Sequence, residues 1–386
     1  MQLVAYGAQD VYLTAEPTIT FWKAVYRRHT NFAMESMSQT LSGTPNFGNR
    51  VTCRVSRNGD LLHCMYLKVT LPNVSGDTDS NDYVGRVGFR LLKSVELRVG
   101  GQQIDRHYST WMHVWSELTH NTDMKALLDK LVGPKGVDGD QPTSGNVLNL
   151  NIPLLFSFCR NPGLALPLIA LQYHEVELWI EFATAAECVQ NGGTAPTGSL
   201  GTPELWADYI FLDTEERKEF AQKPHEYLIE VTQNQEVSVS GTSNNSVRLT
   251  FNHPTKFVTW VVRRDTPSGD AFTDFTNGAD ASNVTQAKLK LNGQDRFQAR
   301  DNTYFNYVQP YQAFQVKPDL GVNVYSFALK PAEHQPSGSC NLSRIDNVNL
   351  ELVPNLSGTS GTLHVYAFSY NVFRVASGMG GLAYSN

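Results

Sequence analysis

Apolar and polar positions alternate along most of this chain in short runs, the period-two pattern of strands with one buried face. Val51–Val55, Leu61–Val69, Ser94–Val99, His174–Phe182, Tyr209–Asp213 and Tyr227–Val231 read this way. So do Ser246–Phe251, Phe257–Arg263, Ala287–Leu291, Val322–Leu329, Val348–Val353 and Thr362–Tyr370. Between the first two, Arg57-Asn58-Gly59-Asp60 predicts a tight hairpin, because Asn-Gly accepts the positive φ angles of such a turn. Two stretches keep a helical period instead. Trp111, Val114, Trp115 and Leu118 share one face, with Ser109 placed to cap it. Met124, Leu127, Leu128 and Leu131 repeat the spacing until Gly133-Pro134 stops it. The expected class is all-β, with short helices in the connections.

The pattern occurs twice. Glu96–Asp105 (ELRVGGQQID) is echoed by Lys288–Phe297 (KLKLNGQDRF), about half the chain later. Phe156-Ser157-Phe158 with Asn161-Pro162 is echoed by Tyr325-Ser326-Phe327 with Lys330-Pro331, and His174–Leu178 by Asp346–Leu350. The echoes keep their order, which predicts two successive sandwiches or jelly rolls. The densest charged run, Asp213–Pro224 (DTEERKEFAQKP), marks the expected junction and also reads as a solvated surface helix. The expected division is residues 1–213 for the first unit, including an arm at 1–31, then a linker at 214–224 and a second unit at 225–386.

Charge narrows the functions. A net charge of −6 argues against direct binding of nucleic acid, which needs clustered Lys and Arg. Cys53, Cys64, Cys159, Cys188 and Cys340 are odd in number and lack metal-ligand spacing, which suits reduced, buried thiols. No basic-then-apolar leader and no long apolar run is evident, so the expectation is a soluble, cytosolically made chain.

Catalytic patterns are weak. Asp77–Asp82 opens like a calcium loop, but Asp82 stands where Gly is needed and Gly88 where Glu is needed. His107, His113 and His120 could ligate zinc, yet packing beside strand and helix residues accounts for them as well. Glu175, Glu177 and Glu181 share one strand face with Trp179, which would suit a sugar-gripping sheet or, more simply, a charged outer face. Neither a nucleophile elbow nor a phosphate loop occurs, and the expectation is a non-enzyme with no cofactor, metal or catalytic residue. Sequons stand at Asn73, Asn244, Asn283, Asn341 and Asn355; Asn73, Asn244, Asn283 and Asn355 are candidate glycosylation sites, while Asn341 reads as structural.

Three distant segments carry a family likeness. They are Ser326–Asp346 (SFALKPAEHQPSGSCNLSRID), Leu3–Thr14 (LVAYGAQDVYLT) with Thr20–Ser36 (TFWKAVYRRHTNFAMES), and Tyr370–Asn386 (YNVFRVASGMGGLAYSN). Together they resemble the major capsid proteins of nucleocytoplasmic large DNA viruses of the phycodnavirus and iridovirus type. The resemblance implies a double jelly-roll, two tandem eight-stranded jelly rolls standing side by side. It also implies homotrimeric, pseudo-hexagonal capsomers tiling an icosahedral virion, made in the host cytoplasm. Implied partners are the chain itself, neighbouring capsomers, minor capsid and penton proteins, and an internal viral membrane. Arg27 and Arg28 would face that inner side, or else pair with acids within the fold. Loops at Asn73–Tyr83, Gly133–Asn146, Cys188–Pro203 and Asp265–Ser282 would form the outer tops, and Ser377–Asn386 a flexible or trimer-latching tail. The competing expectation is a carbohydrate-binding or carbohydrate-cleaving β-sandwich, resting on the Glu175–Glu181 strand.

Overall fold

The computed structural model describes residues 5, 7–72, 83–134, 148–190, 193, 195–241, 243–265, 272–278, 281–356 and 358–384. The first half supplies eight principal strands: β1 (Phe32–Gln39), β2 (Arg50–Arg54), β3 (Leu61–Leu71), β4 (Leu92–Val99), β5 (Gln102–Tyr108), β6 (Leu148–Pro153), β7 (Val176–Phe182) and β8 (Glu204–Leu212). They form two antiparallel sheets, ordered β1-β8-β3-β6 and β2-β7-β4-β5. The second half supplies eight more: β9 (His225–Ser240), β10 (Asn245–Leu249), β11 (Pro254–Arg264), β12 (Val284–Leu291), β13 (Gln294–Asp295), β14 (Asn323–Ser326), β15 (Val348–Pro354) and β16 (Ser360–Ala376). Their order is β9-β16-β11-β14 and β10-β15-β12-β13, the first pattern with eight added to every number. Two stacked sheets of eight antiparallel strands in this order are a jelly roll, and the chain holds two of them. The double jelly-roll expected from the sequence is the fold.

All three sequence echoes fall at equivalent points of this topology. Gly100 and Gly101 turn β4 into β5 with φ of 58° and 81°, as Asn292 and Gly293 turn β12 into β13 with φ of 52° and 78°. Residues with little penalty at positive φ are what such two-residue turns require. The second echo follows β6 and ends β14, the sixth strand of each roll, and the third opens the seventh strand, β7 or β15.

Three expectations change. Arg57–Asp60 is no hairpin, because β2 and β3 lie in different sheets. Gly59 serves close approach instead: a Cβ there would lie 2.7 Å from Tyr209 Cβ. Asp60 is buried and accepts from Leu212 N at 2.8 Å. Second, β1, β5 and β6 were not foreseen as strands, and β9 and β16 run far longer than their apolar runs suggested. Third, Ser109 opens helix α1 (Ser109–Thr119) and Tyr108 takes the cap position without a side-chain bond. The next helix, α2 (Thr122–Val132), is capped as its sequence allows, Asn121 accepting from Met124 N at 2.9 Å, and Gly133 ends it at φ 99°.

Each roll has an apolar core, and that of the first also takes in Ile229 and Val231 of β9 and Phe373 and Val375 of β16. Between the last strand of the first roll and the first of the second lies α3 (Thr214–Gln222). Arg217 on α3 donates to Asp60 Oδ2 at 2.9 Å, and Phe220 stacks on His225 with centroids 5.0 Å apart. The junction is thus a helix docked on the first roll.

Candidate functional site: the seam between the rolls and the surfaces left open

β11 and β16 are apolar on both faces, for a reason specific to their place. Val258, Trp260 and Val262 of β11 and Leu363, Val365 and Ala367 of β16 fill the second roll's own core. The alternate positions, Phe257, Val261, Tyr366 and Phe368, pack against Trp111, Val114, Trp115 and Leu118 of α1, which belongs to the first roll. Trp111 lies 5.4 Å from Tyr366 and 5.5 Å from Phe368, and Trp115 lies 4.8 Å from Phe368, between ring centroids. Fully buried aromatic clusters of this kind carry most of an interface's energy.

A buried ionic triad flanks that cluster. Glu230 of β9 receives Lys256 of β11, and Arg160 of the first roll at 3.0 Å. The Arg160 guanidinium also lies over the Trp115 and Phe368 rings. Burial pushes the Lys256 and Arg160 pKa values down, and the Glu230 carboxylate opposes that push at both. Such a triad holds only while complete, since removing one member strands charge in a dry site. Lys256 makes one further bond, to Glu333 O at 2.7 Å. That carbonyl belongs to the Ser326–Asp346 crossing, which is strapped to the start of β11. Cys340 and Asn341 pair with Thr255 and Pro254, and Ser343 Oγ accepts from His253 N at 2.7 Å. The signature segment is a structural strap that completes the triad's coordination. Asn341 belongs to it, accepting from Ser343 N at 3.1 Å.

The C-terminal residues close the seam from the other side. Ser377 (φ 52°) and Gly378 (φ 79°) turn β16 back into β17 (Met379–Leu382), which lies against the first roll. Tyr173 N donates to Gly378 O at 2.9 Å, Gly380 N to His174 Nδ1 at 3.1 Å, and Leu382 N to Gln102 Oε1 at 3.3 Å. A Cβ on Gly380 would come within 2.5 Å of Leu171, which is why glycine stands there. Among the described residues this tail is an intrachain clasp, where a flexible or trimer-latching tail was expected.

Two open surfaces among the described residues bear on assembly. Residues 11–31 are exposed throughout, and Tyr12, Phe21 and Trp22 are 92%, 87% and 95% exposed. Arg27 and Arg28 sit on this arm, exposed and with no acidic partner among the described residues. The second open surface is the outer face of β3 and β8, topologically equivalent to the seam face of β11 and β16. It carries Tyr66 stacked on Trp206 with centroids 6.4 Å apart, and Lys68 paired with Glu204 at 3.4 Å.

The other sequence candidates disperse. His107 pairs with Asp105 at 2.8 Å and stacks on Phe156. Burial lowers the His120 pKa, and the three histidines do not meet. His113 instead lies near Glu117 and Asp319. Glu117 is already held by Arg86 at 2.7 Å and Lys125 at 2.6 Å, cations standing where a metal would sit. The carboxylate row is likewise engaged: Glu175 and Glu177 with Arg54, and Glu181 with Lys93 at 3.1 Å. Burial alone would raise Glu181, yet Lys93 and Ser94 hold it below the ordinary carboxylate value, contrary to what a general acid needs. Arg50 and Arg98 lie over the Trp179 ring at 4.5 and 3.9 Å, where a sugar would have to stack. The carbohydrate alternative loses its site.

Asn283 is buried with its Nδ2 on Val262 O at 2.8 Å, so a glycan there would have to break that bond. Asn355 is half-buried and Asn244 exposed, while Asn73 and the Asp77–Asp82 string lie outside the described residues. So do residues 73–82 of the first expected loop, most of Gly133–Asn146, and parts of the other two. The five cysteines are free thiols. Burial pushes Cys53 to about 11 and Cys188 to about 12, and it raises the other three as well.

Comparison with known proteins agrees with this architecture. Residues 20–213 match the family model described as major capsid protein N-terminus. Residues 216–381 match that described as large eukaryotic DNA virus major capsid protein. The chain is 47% identical to the major capsid protein of Pyramimonas orientalis virus, covering 100% of this chain and 99% of that one. It is 43% identical to that of Paramecium bursaria Chlorella virus 1, with the same coverage. Among solved structures, the quasi-atomic model of the PBCV-1 virus capsid superposes with a TM-score of 0.83 at 39% identity, covering 95% of this chain and 100% of that one. The Faustovirus major capsid protein shares the fold, with a TM-score of 0.74 at 15% identity over 96% and 94%.

Proposed function

The chain belongs to the large eukaryotic DNA virus major capsid proteins, and from that premise we propose that it builds the shell as a homotrimeric, pseudo-hexagonal capsomer. The observation that carries this reading is the seam. It joins two rolls of identical strand order into one unit through a dry aromatic cluster and a buried triad. Three such units about an axis present six equivalent blocks, and cyclic symmetry closes the ring. In these terms 1–213 is the first roll with an arm at 1–31, 214–224 the linker, and 225–386 the second roll.

Pseudo-symmetry also suggests which face meets the neighbour. Within one chain, α1 of the first roll covers the β11–β16 face of the second. The equivalent β3–β8 face, with Tyr66 and Trp206, is open in the single chain. A neighbour's second roll covering it would repeat the intrachain relation around the ring. The apolar arm would be covered on assembly too, by minor capsid or penton proteins or an internal membrane on the inner side. Arg27 and Arg28 would there engage acidic or phosphate-bearing groups. The protein would be made in the host cytoplasm before joining the virion.

Native mass spectrometry of the purified chain tests the trimer. Three times 43.0 kDa, persisting on dilution, is the expected species. A monomer at high concentration would overturn the proposal. Trp206→Glu should give that monomer while leaving the circular dichroism spectrum of the folded chain unchanged.

A further inference from the structure

Beside the aromatic cluster the seam forms a half-open cavity of about 250 Å³, with walls from both rolls. Its charged groups are Arg90, Lys93, Arg106, Glu181 and Glu187 from the first roll and Glu236, Arg263 and His364 from the second. Most of them are paired. Arg90 meets Glu187 at 3.2 Å, Lys93 meets Glu181 at 3.1 Å, and His364 Nδ1 meets Glu236 at 3.1 Å. Every carboxylate is then used, and two guanidinium groups remain without one. Arg106 donates to Ser94 Oγ at 3.3 Å and lies over the Tyr108 ring, and its buried Nε has no partner among the described residues. The Arg263 side chain makes neither an ion pair nor a hydrogen bond among the described residues, its backbone being held in the sheet opposite Thr362. Burial pushes its pKa down and Arg90 adds to that push, while Tyr366, Glu236 and Glu187 oppose it. His364 is buried, 3% exposed, and its Nε2 is unpartnered.

Arg106 and Arg263 are half-buried, and cations partly withdrawn from water favour a counter-charge, a carboxylate or a bound anion. We propose that the cavity binds a small tetrahedral oxyanion, inorganic phosphate or sulfate, between Arg106 of the first roll and Arg263 of the second. A guanidinium fork suits such an anion, because its N–H groups match oxygen spacing. His364 Nε2 can add a donor in its imidazolium form, while Ser109 and Thr110 bring hydroxyl groups to the same wall. The anion would bridge the rolls at the first residues of α1, beside the aromatic cluster. This inference needs only the folded chain and holds or fails independently of the trimer.

Thermal melts of the purified full chain in inorganic phosphate, at constant ionic strength set with sodium chloride, provide the test. A saturable rise in melting temperature is expected, since an anion that binds only the folded state stabilises it by mass action. Isothermal titration with phosphate should show at least tenfold weaker binding in Arg263→Gln and in Arg106→Gln, changed in different rolls. Equal, non-saturating rises in wild type and both variants would mean a generic salt effect and overturn the site. Should either variant fold poorly, a wild-type density map in phosphate decides. A tetrahedral peak between the two guanidinium groups supports the proposal, and water alone contradicts it.

Discussion

The outer faces of β3–β8 and β11–β16 occupy the same place in two rolls of the same topology, yet they differ in what covers them. On β11–β16 that face is closed by Trp111 and Trp115 of α1. On β3–β8 it is half-exposed and carries one aromatic stack and a surface ion pair. The roll itself requires only the inward-facing residues of each sheet. The outward face follows from what each sheet meets next, so one fold supplies both an internal seam and an open flank.

The sharpest way to break the comparison is to remove the indole from each face. Trp111→Ala should destabilise the chain by about 3–5 kcal/mol, because the cavity opens within a fully buried cluster. Trp206→Ala should cost about 1 kcal/mol or less in the isolated chain, as surface changes do. Chemical denaturation of both variants checks this, and equal losses would erase the distinction. Comparable in size is Glu230→Ala, expected to cost about 3–5 kcal/mol by leaving Lys256 and Arg160 buried without a counter-charge. If Glu230→Ala melts like wild type, the triad contributes nothing to the seam.

Gly378→Ala probes the clasp. It forces a Cβ onto φ 79° and within 2.6 Å of Tyr173, for a loss of about 1–2 kcal/mol. Faster hydrogen exchange at Gly380 and Leu382, with little change in the strands of the second roll, would localise the effect. The smallest effect is on pH dependence. The hydrogen bond to His364 depresses Glu236 to about 2, below its unfolded value. A depressed carboxylate contributes stability that is present above its unfolded pKa and lost as pH falls through the folded one. Acid melts should therefore lose that contribution between about pH 4.5 and 2, and His364→Gln should flatten this limb. An unchanged acid limb in that variant would remove the pair from the seam.

Much of this architecture was legible in the residues. The Gly-Gly and Asn-Gly turns of the two echoes fixed equivalent hairpins, because few residues accept consecutive positive φ angles. The helical spacing of Trp111, Val114, Trp115 and Leu118 revealed α1 but not what it covers. A strand with two buried faces, such as β16, looks the same in sequence whether its second partner is a sheet or a helix. β5 escaped notice for the opposite reason. Its Gln102–Tyr108 run is polar because Asp105 and His107 pair at the seam, Asp105 also accepting from Thr232 N of the second roll at 3.0 Å. β1 was hidden because nearly all of its residues are exposed, leaving no alternation to read. The Arg160–Glu230–Lys256 triad gathers residues from three separated segments, and no local pattern foretells it. The tail's glycines were visible, but their reason, close approach to Leu171 and Tyr173, exists only once both rolls are in place.

Cryo-electron microscopy of the purified protein tests the central claim, that two matched rolls fused by a one-sided seam make a six-block ring from three chains. The account predicts a three-fold particle of six similar lobes, with the Tyr66–Trp206 face of each chain covered by its neighbour's second roll. Isolated two-lobed particles, or a ring in which that face points to solvent, would contradict it.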